Sequence, residues 1–115
     1  MSEARNEVES FTRWRAEAVQ AAQAVVAGEI RLVEGARHLT AMGHRLVHDL
    51  SADPDFSVLV AVESETDDLP VGQARAHWDP AALALKDREI ADYESTVRDA
   101  VLAACRSILA RYAAG

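Results

Sequence analysis

The segment that decides the fold is Leu32-Val-Glu-Gly-Ala-Arg-His-Leu-Thr-Ala-Met-Gly-His-Arg-Leu-Val-His-Asp-Leu50. Its apolar and small residues recur at alternating steps of four and three, at Leu32, Ala36, Leu39, Gly43, Leu46 and Leu50. This spacing places all six on one face of an α-helix, so we predict a helix over residues 29–50. Because glycine costs about 1 kcal/mol in a helix relative to alanine, we expect tight packing at Gly43 to compensate.

A second apolar stripe precedes this segment and predicts a first helix over residues 3–27. It is formed by Ala4, Val8, Phe11, Ala18, Ala22 and Val25, with Trp14 at its edge. The alanines are small enough to let a neighbouring helix approach closely. Gly28 is the natural break after this helix. We therefore expect the first and second helices to form an antiparallel pair.

A third element follows the dipeptide Asp53-Pro54, which is a helix-start signal because aspartate caps free N–H groups and proline suits the first turn. The following run, residues 56–62, is rich in β-branched residues and would also suit a buried strand. No second strand candidate exists to pair with it. We therefore predict a short helix over residues 54–63.

The last helix is predicted over residues 80–112, because Asp79-Pro80 repeats the start signal. Glu94 lies on its apolar side, where an unpaired buried carboxylate would be costly. Arg98, four residues later, is its local partner, and a Glu94–Arg98 pair at the rim is the favoured interpretation. Arg75 is the alternative partner.

These elements predict an all-α fold in one domain, residues 1–115: an antiparallel helix pair, a short helix and a long C-terminal helix. No apolar run reaches the roughly 20 residues that span a bilayer, and residues 1–15 show no signal peptide. The single Cys105 cannot form an internal disulfide and fits the reducing cytoplasm. We expect a cytoplasmic protein.

The acidic charge is concentrated in the middle of the chain. The net charge is −7, and residues 51–95, with 11 acidic and 3 basic residues, have a balance of −8. Within them, residues 63–78 interrupt the helical pattern between the third and last helices. Such a surface repels nucleic acid and anionic lipid and favours basic partners, although it would also serve as a solubilising face. The candidate partner-binding residues are Glu63, Glu65, Asp67, Asp68, Arg75 and Trp78.

The sequence contains no motif that predicts catalysis. It has no glycine-rich phosphate loop, nucleophile elbow or zinc-ligand spacing. His44 and His48 are four residues apart, but no third ligand stands nearby, and Cys105 lies beside an apolar stripe and predicts a packing role. The pair Glu89 and Asp92 has the helical spacing of a carboxylate metal site, but it lies away from the core stripe. We expect no enzyme activity, no cofactor and no metal; a metal-dependent, nucleotide-cleaving helical enzyme is the less favoured alternative.

Several short segments resemble a pattern in small bacterial helical proteins, some of them from the toxin–immunity neighbourhood of interbacterial competition. The resemblance spans about residues 28–112 and is carried by residues 64–72, Arg75, Trp78, 86–90 and 103–105. It carries over no functional residue. It implies a cytoplasmic protein that binds and neutralises a partner.

The charge and the resemblance lead to the same expectation: a non-catalytic protein that binds a basic protein, such as a toxin, through an acidic surface. The alternative is a structural or regulatory helical protein that forms a homodimer through an exposed apolar stripe.

Overall fold

Four α-helices make up most of the chain. The structure is a computed structural model that describes residues 2–70 and 72–113. Its α-helices are α1 (Ser2–Val26), α2 (Leu32–Leu46), α3 (Phe56–Glu65) and α4 (Pro80–Tyr112), with short 3-10 helices at Leu50–Ala52 and Gly72–His77. The described residues contain no β-strand. The predicted all-α fold is confirmed, and residues 56–62 are helical rather than extended.

α1 and α2 form the predicted antiparallel pair, and Gly28 makes the reversal between them. Gly28 has a φ of +76°, the left-handed conformation that glycine adopts without steric cost. The N–H of Glu29 donates to the carbonyl of Ala24 (2.8 Å), and the N–H of Gly28 donates to that of Val25 (3.1 Å). These two bonds form a Schellman motif, which satisfies carbonyls that the end of α1 would otherwise leave free.

Small residues bring the helices close together at the centre of the bundle. Ala18, Ala21 and Ala22 of α1 are buried, as is Ala36 of α2. A Cβ added to Gly43 would lie 2.5 Å from Leu50 Cδ2 and 2.6 Å from Phe56 Cδ1. The packing that was expected to compensate for a helical glycine is therefore present at Gly43.

The predicted second helix is too long, because α2 ends at Leu46 rather than at residue 50. Val47 is extended, and the Asp49 carboxylate caps the 3-10 helix by accepting from the N–H of Ser51 (3.1 Å). Leu50 nevertheless packs on the same face, against Gly43, because the chain turns back across the end of α2. The apolar spacing is therefore real, but its last member belongs to the loop.

α4 begins at the predicted aspartate-proline signal, whereas α3 begins at Phe56, two residues later than the predicted start at Pro54. The Asp53 carboxylate accepts from the N–H groups of Asp55 (3.0 Å) and Phe56 (3.1 Å), and Asp79 accepts from the N–H of Ala82 (3.2 Å). Burial alone would raise the pKa of Asp53. These backbone bonds, together with a 2.6 Å bond from Arg111, outweigh it and hold that pKa below its ordinary value.

Leu39 and Leu46 provide a test of how the apolar face of α2 is packed. Leu39 is fully buried, whereas Leu46 is only partly buried at the end of α2. We expect Leu39→Ala to lower the free energy of unfolding by about 2–5 kcal/mol, and Leu46→Ala to cost clearly less. Urea denaturation followed by circular dichroism measures both values. Equal losses at the two positions would contradict this packing.

Candidate partner-binding surface

The acidic segment between α3 and α4 is anchored to α2 through its backbone carbonyl groups. The Arg37 guanidinium on α2 donates to the carbonyl oxygens of Thr66 and Leu69, the latter at 3.2 Å. Thr66, Leu69 and Pro70 are buried, and the Thr66 hydroxyl donates to the carbonyl of Val62 (2.6 Å). Arg37 therefore links α2 to this segment, and the link is made to carbonyl groups rather than to carboxylates.

Two exposed carboxylates lie in this segment and a third, Glu65, is the last residue of α3, so the predicted interruption of the helical pattern begins after Glu65 rather than at residue 63. Glu65, Asp67 and Asp68 are exposed, and Glu63 is half-buried. Among the described residues, none of the four is in an ion pair. We use the term acidic surface for Glu65, Asp67 and Asp68. Val71, between Pro70 and Gly72, lies outside the described residues.

Glu65 also contacts α4. The hydroxyl of Tyr93 donates to its Oε2 at 2.5 Å. Burial and this bond to a carboxylate both raise the pKa of Tyr93, since each favours the neutral phenol. Sequence reasoning missed this bond, because Tyr93 and Glu65 meet only when α3 packs against α4.

The other two candidate binding residues take part in internal contacts. Arg75 lies in the 3-10 helix Gly72–His77 and donates two hydrogen bonds to Asp87, at 2.6 and 3.0 Å. The Arg75 bond lowers the pKa of the Asp87 carboxyl below its ordinary value. Trp78 is half-buried next to the cap of α4. The structure therefore directs Arg75 to α4, and it separates Glu65, which contacts α4, from Glu63, which lies on the side of His44 and His48.

The predicted Glu94–Arg98 pair is wrong, and so is the alternative with Arg75. Glu94 is 6% exposed, and its Oε2 accepts from the backbone N–H of Val33 at 3.2 Å. Its Oε1 lies 3.5 Å from Nη2 of Arg31, and Arg31 also contacts Asp87 (3.4 Å). A carboxylate from α4 therefore supplies the first turn of α2 with the acceptor that Arg31, at the N-cap, does not provide.

A hollow of about 300 Å³ lies between α2, α3 and the loop that follows α2. Its lining includes Thr40, His44, His48, Asp49 and Glu63. The Thr40 hydroxyl is buried and has no hydrogen-bond partner among the described residues. The described part of the chain holds no group of three or more His, Cys, Asp or Glu residues arranged for a metal ion.

The residues outside the surface behave as expected from their positions in the helices. Glu89 and Asp92 are exposed on α4, and Glu89 pairs with Lys86 at 3.1 Å. Cys105 is fully buried, and burial raises the pKa of its thiol to about 11.

Within the described residues, no helix is both apolar enough and long enough to cross a membrane.

In the described residues, the protein is a small helical bundle without strands. It presents acidic side chains at and beside the anchored connection between α3 and α4. The chain belongs to the family described as "Protein of unknown function (DUF2489)", which matches residues 4–108. Neither a curated protein nor a solved structure matches the chain significantly.

Glu94 can be tested by removing its charge and its acceptor separately. We expect Glu94→Ala to lower the free energy of unfolding by about 1–3 kcal/mol, because the buried N–H of Val33 loses its partner. Glu94→Gln keeps an acceptor oxygen for that N–H and should cost less. Urea titrations of the two variants give the comparison, and a loss at Glu94→Ala below about 0.5 kcal/mol would contradict the role of Glu94 as a cap.

Arg37 provides a second test, which concerns the anchoring of the acidic segment. We expect Arg37→Gln to speed hydrogen exchange at the backbone amides of residues 66–69, because two carbonyls lose a charged donor. The amides of the buried part of α1, around Ala22, serve as the internal control and should be unchanged. Hydrogen exchange measured by mass spectrometry reports both regions. Unchanged exchange in residues 66–69 would show that the buried side chains alone hold the segment.

Proposed function

We propose that this protein binds a basic protein partner through its acidic surface and does not act as a catalyst. The observation that supports this most directly is that Asp67 and Asp68 are exposed on a segment that Arg37 and three buried residues anchor, next to the exposed Glu65 at the end of α3. Anchored charges lose little conformational freedom on binding, so more of the interaction energy remains available for affinity.

The electrostatic consequence is rapid association. Carboxylates clustered on one surface attract a positively charged partner over about a Debye length, which is about 8 Å at physiological salt. The same charges repel nucleic acid and anionic membranes, so they also select among partners. In a protein of the toxin–immunity kind, a surface of this type would block a basic toxin, and the action would take place in the cytoplasm. The resemblance noted in the sequence supports that version of the proposal.

The decisive experiment compares two pairs of charge removals. Asp67→Asn with Asp68→Asn removes two charges from the acidic surface and leaves the Tyr93–Glu65 bond intact. Glu29→Gln with Asp99→Asn removes two exposed charges elsewhere and is the matched control. The partner is first captured from the source cell and purified, and its association rate is then measured at low and high salt.

We expect the first pair to slow association about tenfold at low salt and to flatten the salt dependence, because steering by charge is screened. The control pair should change the rate much less. A partner without net positive charge, or equal effects of the two pairs, would refute the proposal. Catalytic turnover by the purified protein would refute its non-catalytic part.

A further inference from the structure

The first three turns of α1 project beyond the rest of the bundle. Arg45, near the end of α2, stacks on Trp14 with its guanidinium carbon 4.9 Å from the ring centre. Tyr112, the last residue of α4, meets α1 in a groove that starts at Thr12. Both helices that flank α1 therefore end near the level of Trp14. Among the residues before Trp14, Glu7, Val8 and Glu9 are exposed.

The apolar stripe of α1 continues into this projecting part. Its later members Ala18, Ala22 and Val25 are buried against α2 and α4. Its earlier members Val8 and Phe11 are 67% and 40% exposed. Large apolar side chains in register with a core stripe, but beyond its edge, are typical of a surface that another chain covers.

The charges along α1 indicate what covers it. Glu7 and Glu9 precede Phe11, and Arg13 and Arg15 follow it at the same distances. In a second α1 that runs antiparallel and is centred on Phe11, Glu7 lies at the level of Arg15 and Glu9 at the level of Arg13. At 3.6 residues per turn, Arg15 shares the face of Val8 and Phe11, and Glu7 flanks it. Glu9 and Arg13 lie on the opposite side of the helix and act only at longer range.

A groove on α1 lies at the level that Val8 of the second copy reaches. It has a volume of about 320 Å³ and lies between α1 and the end of α4, where Thr12, Ala16, Val19 and Tyr112 are among its lining residues. In the antiparallel arrangement, Val8 of one copy is level with residue 14 of the other, between Thr12 and Ala16. Val8 and the groove that receives it therefore lie on the same surface of each copy, as an interface with two-fold symmetry requires.

We propose that the protein forms a symmetric homodimer in which the projecting parts of α1 pair in antiparallel fashion about Phe11. The second copy covers Val8 and Phe11 and brings Glu7 and Arg15 of opposite copies to the same level. This dimer is independent of the acidic surface, so binding of a basic partner and dimer formation can succeed or fail separately.

The first test measures the mass of the full chain in solution. Sedimentation equilibrium should give twice the chain mass of 12.5 kDa for the unmodified protein. We expect Phe11→Glu to give the monomer, because it places a charge at the two-fold axis. Leu85→Glu, at an apolar residue of α4 that is 62% exposed, is the matched control and should remain dimeric. Circular dichroism verifies that both variants are folded.

The second test reports the direction of pairing. Glu7→Arg alone brings like charges to the same level and should weaken the dimer roughly tenfold, since the symmetry repeats each change. Adding Arg15→Glu should restore the affinity, because the opposite charges are then exchanged. A monomeric unmodified protein, a dimeric Phe11→Glu variant, or no restoration in the double variant would overturn the proposal.

Discussion

The buried carboxylate of Glu94 is the constraint on which the helix arrangement depends. It joins the middle of α4 to the N–H of Val33 in the first turn of α2, and Arg31 provides its countercharge. A buried carboxylate is tolerated only when it is bonded and compensated. Because the free N–H groups and the positive end of a helix dipole lie at the start of α2, Glu94 has a favourable site there. The contact determines how far α4 can slide along α2.

The same contact extends into a chain of charges that reaches the connection between α3 and α4. Arg31 contacts both Glu94 and Asp87, and Asp87 accepts two bonds from Arg75. Arg37 adds an independent link from α2 to the carbonyls of Thr66 and Leu69. The segment between α3 and α4 is therefore held to α4 at one end and to α2 at the other. This explains how a long connection can carry several exposed carboxylates in a defined arrangement.

The sequence predicts local features of the fold well and long-range pairings poorly. The start of α4 follows from Asp79-Pro80, and the end of α1 follows from Gly28, because both signals act within one turn of the chain. The end of α2 was predicted four residues too late, since Leu50 keeps the helical spacing while lying in the loop. Leu50 keeps this spacing because it packs against Gly43, and that packing depends on how the chain folds back after α2.

The candidate surface divides in the same way. That its carboxylates are numerous and close together follows from the sequence of residues 63–68 alone. The bonds of Arg75, Arg37 and Glu94 do not follow from it, because each joins residues more than ten positions apart. Two signals were nevertheless present: Glu94 interrupts an apolar stripe, and no good capping residue precedes α2. Together they point to a carboxylate from one helix that caps another.

The burial of Cys105 has a practical consequence. This thiol is the only one in the chain, and it lies on the buried face of α4. Its raised pKa keeps it protonated at neutral pH. An alkylating reagent can reach it as a reactive thiolate only after the core opens. The rate of alkylation of Cys105 therefore reports how often the bundle opens spontaneously, without an engineered label.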